Sequence, residues 1–91
     1  MSGAIPYLPR GVRRHFDRVR GRAVLLGPER ALMLDPIGDA ILGELDGSRS
    51  EAQIAAGLAE RYGAPVEAVQ SDVHEFLSGL AEKRLVEMKQ P

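Results

Sequence analysis

The stretch from Val24 to Asp35, VLLGPERALMLD, constrains the fold of this chain more than any other segment. Two short apolar runs flank Gly27-Pro28-Glu29, a tight-turn signal, so the segment predicts a β-hairpin. The second run, Ala31 to Leu34, is followed only by helical patterns, which makes it the last strand of its sheet. Its outer edge then carries backbone N–H and C=O groups that are open to another chain. This pattern favours a domain that holds an extended peptide.

Two further strands complete the predicted sheet. Val12 to Phe16 alternates between apolar and polar residues, which is typical of a half-buried strand, although Arg14 falls among the apolar positions. After a turn at Arg20-Gly21-Arg22, Ala23 to Leu26 and Arg30 to Asp35 form the second and third strands of a meander. We therefore predict a three-stranded antiparallel sheet.

The two ends of the chain are predicted to be less regular. Pro6 and Pro9 lack the N–H that a strand ladder requires, so residues 1–9 are expected to form a flexible N-terminal tail, extended or irregular, that at most docks on the body. Residues 10–91 are expected to form a single peptide-recognition domain, closed by a short extended segment at Leu85, Val86 and Met88.

Three helices are predicted after the strands. Asp35 is a good N-cap before Pro36, and Gly47 offers a left-handed exit from the first helix. Ser50-Glu51-Ala52-Gln53 has the form of a capping box for a second helix that ends at Gly63, and Pro65 begins the third. The apolar stripes expected to face the core are Ile37, Ile41 and Leu45; Ile54, Leu58 and Tyr62; and Val66, Val69, Val73, Phe76, Leu77 and Leu80.

Composition and motifs argue against an enzyme. The chain has no Cys, which excludes disulfides, thiolate metal sites and a Cys nucleophile, and it has no nucleotide-binding glycine pattern. His15 and His74 lie far apart without the convergent ligands that a metal site needs. No stretch reaches the roughly 20 apolar residues of a membrane helix, and no secretory signal begins the chain, so we expect a cytoplasmic protein without a cofactor.

Charge is unevenly distributed along the chain. Up to Arg22 there are six Arg against one acid, Asp17, whereas the rest has six bases against twelve acids. Five of these residues could recruit an acidic peptide or a partner enzyme, or could simply be a solvated face: Arg13, Arg14, Arg18, Arg20 and Arg22. The alternative function, a winged-helix DNA-binding regulator, has its only support in these Arg, because the predicted helices are acidic.

Four segments carry a resemblance to a known family: GVRRHFD, RGRAVLLGPERALMLD, ILGELDGSRS and DVHEFLSGLAEKRLV. In order and spacing, from about Pro9 to Val86, the chain resembles the coenzyme PQQ (pyrroloquinoline quinone) synthesis protein D family. The resemblance implies an α+β, winged helix-turn-helix-like RiPP recognition element that is not catalytic. It also implies two partners: the ribosomal PQQ precursor peptide (protein A) and a radical S-adenosylmethionine (SAM) enzyme (protein E) that joins a Glu to a Tyr within that peptide.

The resemblance implies that the peptide adds a strand beside the third strand, in a groove walled by the third helix. Strand addition gains affinity from main-chain hydrogen bonds and specificity from pockets for alternate side chains. The expected peptide-binding residues are Arg30, Ala31, Leu32, Met33, Leu34, Asp35, Val69, Val73, Phe76, Leu77 and Leu80. Two alternatives remain open: the helical residues belong to an ordinary core, or a loop or the N-terminal tail covers the strand edge.

Overall fold

The computed structural model describes residues 3–91 and contains five strands and three helices. The strands are β1 (Ile5–Tyr7), β2 (Arg13–Asp17), β3 (Arg22–Leu26), β4 (Ala31–Met33) and β5 (Glu87–Lys89). The helices are α1 (Pro36–Gly43), α2 (Glu51–Tyr62) and α3 (Val66–Glu82). The predicted α+β arrangement, an antiparallel meander followed by three helices, is confirmed.

The meander has the order β2-β3-β4, with both pairs antiparallel. Gly21 takes a positive φ of 66° in the turn between β2 and β3, a conformation that glycine adopts without steric cost. β4 is shorter than the predicted Arg30 to Asp35, because Asp35 leaves the sheet to cap α1. β3 is the central strand, and Leu25 at its middle is completely buried.

The termini form a second, two-stranded sheet that the sequence analysis did not predict. β1 pairs antiparallel with β5, with Pro6 opposite Met88, and the Tyr7 hydroxyl donates to Glu87 Oε1 over 2.7 Å. Of the two alternatives for the tail, Ile5–Tyr7 is extended rather than irregular, but it forms a paired strand instead of only docking on the body; Met1 and Ser2 lie outside the described residues. Three-residue strands about 80 positions apart leave no local signal, and a proline is tolerated on such an edge strand.

The predicted helix boundaries are largely confirmed by the caps. The Asp35 carboxylate accepts a hydrogen bond from the Gly38 N–H at 2.6 Å, with Pro36 at the first helical position. Ser50 and Gln53 form both halves of the capping box, and Gly63 ends α2 with a φ of 63°. α1, however, ends at Gly43 rather than near Gly47.

The core lies between the inner face of the meander and the three helices. Its centre is made of large residues that are less than 2% exposed, among them Leu25, Leu42, Ile54, Leu77 and Leu85. Four residues that the apolar patterns placed on buried faces are instead on the surface: Phe16 is 58%, Ile37 69%, Tyr62 61% and Val66 39% exposed. The sheet and the helices are too small to cover every apolar position.

Candidate functional site

The outer edge of β4 is unpaired across residues 3–91, and its hydrogen-bonding pattern follows from the pairing with β3. The Gly27 N–H donates to the Arg30 carbonyl at 2.8 Å, and the Leu34 N–H donates to the Ala23 carbonyl at 2.9 Å. In an antiparallel ladder the backbone groups alternate between the two edges of a strand. Residues 30, 32 and 34 therefore turn towards β3, whereas the N–H and C=O groups of Ala31 and Met33 point to the open edge.

The side chains of β4 divide between the two faces of the sheet. Leu34 is 5% exposed and Leu32 packs against the core, so this pair faces the helices. Ala31 and Met33 are exposed on the outer face, where Met33 lies opposite Val24 of β3. The two residues whose backbone is open at the edge therefore also present their side chains to solvent.

Two close approaches show how α3 runs relative to β4. A methyl group built on Gly38, just after β4, would lie 3.0 Å from the Phe76 ring of α3. A methyl group built on Gly27, just before β4, would lie 2.6 Å from a terminal carbon of Leu85, just after α3. The chain from Phe76 to Leu85 therefore runs from the side of the domain where β4 ends to the side where β4 begins, opposite to the direction of β4.

The predicted residues of α3 lie in different surroundings. Val73, Leu77 and Leu80 are buried in the core, with 1%, 0% and 6% exposure. Phe76 is half-buried against the junction of β4 and α1, and Val69 is half-buried nearer the start of the helix. Phe76 and Val69 are thus the predicted α3 residues with surface to offer a ligand, and peptide contact by any of the five stays a prediction.

The two residues that flank β4 have structural roles in addition to their predicted one. Arg30 is exposed, and its carbonyl closes the turn to Gly27. One carboxylate oxygen of Asp35 accepts the hydrogen bond that caps α1. Both remain at the two ends of the open edge.

The five Arg predicted to recruit a partner are not equivalent. Arg14 lies on the inner side of β2 and pairs with Asp39 of α1, with 2.8 Å between Nη2 and Oδ1, which explains the discordant position in the strand pattern. Arg20 pairs with Asp17 at 3.4 Å, and the backbone N–H groups of Arg20 and Val19 hold the pKa of Asp17 below its usual value. The other three are exposed and form no ion pair within residues 3–91: Arg13, Arg18 and Arg22.

The sequence analysis did not predict a set of side-chain hydrogen bonds that links α2 and α3. The His74 Nδ1–H donates to Glu51 Oε1 over 2.8 Å, and Ser78 Oγ lies 3.5 Å from Nε2. The His74 side chain is 68% exposed, so the pair ties the two helices at the surface. Glu51 is 23 positions away from His74, and no local pattern could have indicated it.

Metal binding and membrane insertion are two further properties to consider for residues 3–91. No group of three or more His, Asp or Glu side chains in that range is arranged to hold a metal ion. None of the helices described there has the length and apolar character needed to cross a membrane.

Comparison with known proteins decides the family. Residues 22–86 match the family described as Coenzyme PQQ synthesis protein D (PqqD). The chain belongs to this family. It is 49% identical over 89 residues to the PqqA binding protein of Rhizobium meliloti, a match that covers 98% of this chain and 91% of that protein.

Other members of the PqqD family extend the comparison. The bifunctional coenzyme PQQ synthesis protein C/D of Methylorubrum extorquens is 45% identical over 83 residues, which cover 91% of this chain and 22% of that protein. The solution structure of the PqqD part of Methylobacterium extorquens PqqCD, described as a functional and stand-alone RiPP recognition element, superposes with a TM-score of 0.80 and 44% identity. That match covers 91% of this chain and 88% of the other, and it confirms the winged-helix-like fold. The DNA-binding alternative has no support among these relatives.

Proposed function

We propose that this chain is a non-catalytic peptide chaperone of PQQ biosynthesis. It binds the PQQ precursor peptide (protein A) as an added strand on β4 and presents it to the radical SAM enzyme (protein E). We expect this role in the cytoplasm, where the ribosomal precursor is made.

The observation that carries the proposal is the open edge of β4. The N–H and C=O groups of Ala31 and Met33 point away from β3, so an extended peptide gains four main-chain hydrogen bonds without displacing any partner described in residues 3–91. Phe76, which is half-buried and lies close to Gly38 just beyond β4, offers an apolar contact to the added strand. The name of the Rhizobium meliloti relative, PqqA binding protein, supports the same ligand.

Charge favours a protein ligand over nucleic acid. α3 carries Glu67, Asp72, Glu75 and Glu82 along its length, and phosphate backbones are repelled by such a helix. The exposed Arg13 lies on β2, Arg18 lies in the turn after it, and Arg22 begins β3, so none of them is on the edge strand β4. We propose that they attract acidic parts of the precursor or the partner enzyme rather than pair with the added strand.

The proposal is tested by following the backbone amide resonances of the chain while the PqqA peptide of Rhizobium meliloti is added. We expect saturable shifts at Ala31 and Met33 and along α3 from Phe76 onwards. A peptide of the same composition in scrambled order serves as the control and leaves these resonances unchanged. The PqqA binding protein of Rhizobium meliloti, titrated in parallel, shows that the peptide is competent. Binding by that relative without saturable shifts in this chain would overturn the proposal.

A further inference from the structure

An apolar cavity opens on the helical side of the domain, beyond the end of β4. It has a volume of about 350 Å³ and is walled by all three helices, through residues such as Ile37 and Ala40 of α1, Tyr62 of α2, and Val69 and Val73 of α3. This volume falls within the roughly 300–1,000 Å³ of pockets that take small apolar ligands, so one large apolar side chain fits. Ile37 and Tyr62, 69% and 61% exposed, form its rim. The sequence patterns had assigned both residues to the core.

The cavity begins just beyond the C-terminal end of β4, because Pro36, three residues after Met33, is one of the residues that line it. On α3, Phe76 lies close to Gly38 of α1, and Val73 and Val69 follow towards the start of the helix, at about 4.5 and 10 Å from Phe76 along the helix axis. An extended peptide advances about 3.4 Å per residue. A peptide paired with β4 that continues past Met33 therefore reaches the cavity within about two to three residues.

The charge at the cavity restricts its occupant. Among the described residues that line it, Asp72 alone is charged, and the Asp72 side chain is in no hydrogen bond or ion pair that the described residues form. An acidic side chain would be repelled there and would also lose its hydration. The occupant is therefore an apolar side chain, and a basic neighbour is favoured over an acidic one.

We propose that this cavity is a second anchoring site for the peptide, in which one large apolar side chain is buried two to three residues beyond the residue that pairs with Met33. The inference rests on the proposed function and adds a requirement on the sequence of the peptide that is bound. Strand pairing reads the backbone and tolerates many sequences, whereas the cavity selects peptides with an apolar residue at one fixed distance from the paired segment.

The test is calorimetric titration of the full chain with the PqqA peptide of Rhizobium meliloti. Ile37→Ser removes part of the rim, and Ala40→Phe fills the cavity from α1. Val19→Ser is the matched control, because Val19 is 97% exposed in the turn between β2 and β3 and lies outside the cavity. We expect each cavity variant to weaken binding about tenfold or more, as loss of one buried side chain does, and the control to bind as the unchanged protein does.

An alanine scan of the peptide supplies the second measurement. One apolar peptide residue should lose about tenfold in affinity for the unchanged chain and almost nothing for Ala40→Phe, since the two changes remove the same contact. Retention of the circular-dichroism melting temperature shows that the variants are folded, and Ile37→Ser carries the test if Ala40→Phe does not fold. Unchanged affinity of folded cavity variants, while Met33→Pro impairs binding, overturns the anchoring site and leaves the proposed function intact. Failure of the unchanged chain to bind the peptide overturns both.

Discussion

Proline substitutions at neighbouring positions of β4 are expected to have opposite effects, because their N–H groups face opposite edges. The Met33 N–H points to the open edge, so Met33→Pro removes no hydrogen bond that the described chain makes. The Leu32 N–H points to β3, opposite Leu25, so Leu32→Pro breaks the ladder in the middle of the sheet.

The magnitudes differ enough to be measured. Leu32→Pro leaves a buried carbonyl unsatisfied, at about 1–3 kcal/mol, and removes a packed leucine side chain, at about 1.5–3 kcal/mol. We therefore expect a loss of about 3 kcal/mol or more in the free energy of unfolding. Met33→Pro should cost about 1 kcal/mol at most, since Met33 is 46% exposed and only the strand dihedral is strained.

Peptide binding should follow the reverse order. Met33→Pro removes one main-chain donor to the added strand and places a ring where the peptide backbone approaches. The lost hydrogen bond alone is worth about 0.5–1.5 kcal/mol, which is up to about tenfold in affinity, and the steric contact adds to it.

Urea unfolding and calorimetric titration of the PqqA peptide, on the same protein samples, measure the two effects. Met33→Ala is the control, because it keeps the N–H while it removes the side chain. If folded Met33→Pro binds as tightly as Met33→Ala, main-chain pairing at this edge does not occur. If Met33→Pro unfolds the protein as readily as Leu32→Pro, the alternation deduced for β4 is wrong.

Three further predictions concern a helix cap, an ion-paired carboxylate and the exposed arginines. Asp35→Ala removes the carboxylate that caps α1 by accepting from the Gly38 N–H. We expect the free energy of unfolding, measured in urea, to fall by about 1 kcal/mol. A variant as stable as the unchanged protein would show that the cap contributes nothing. The Arg61 guanidinium, with that of Arg49, lowers the pKa of Glu44, so the ionised form stabilises the fold above about pH 4.5 and this stability is lost as the pH falls through the lowered pKa. Glu44→Gln should therefore reduce the difference in urea stability between pH 7 and pH 3, and an unaltered difference would contradict the assignment. The third prediction concerns the exposed Arg13, Arg18 and Arg22. Their replacement by Gln should weaken binding of the PqqA peptide at low salt and make the affinity less dependent on salt concentration. An unchanged affinity with an unchanged salt dependence would refute a recruiting role.

The local parts of the fold could be predicted because their signals lie within a few residues. The hairpin turn at Gly27-Pro28-Glu29, the cap at Asp35 and the capping box at Ser50 each depend on neighbours in the chain, and the structure contains all three. The open edge of β4 was also predictable, since it follows from the order of the elements along the chain.

The predictions that failed depended on distant parts of the chain. Periodicity identified an apolar face on each helix, but it could not tell which end of that face is covered. Ile54 and Leu58 of α2 are buried, whereas Tyr62 on the same stripe is exposed at the end of the helix. β1 finds its partner in β5 at the other end of the chain, a pairing between two three-residue segments that carry no periodic signal.

The candidate site divides in the same way. By itself the sequence determined that a strand with an unpaired edge exists and that an apolar helix follows, because strand and helix patterns are local. Only the tertiary structure decided that Ala31 and Met33 hold the open backbone groups, that Phe76 lies close to Gly38 of α1, and that Ile37 is exposed at a cavity. The physical reason is that hydrogen-bond register and side-chain burial depend on which surfaces meet when the chain closes on itself, and residues far apart in sequence determine that.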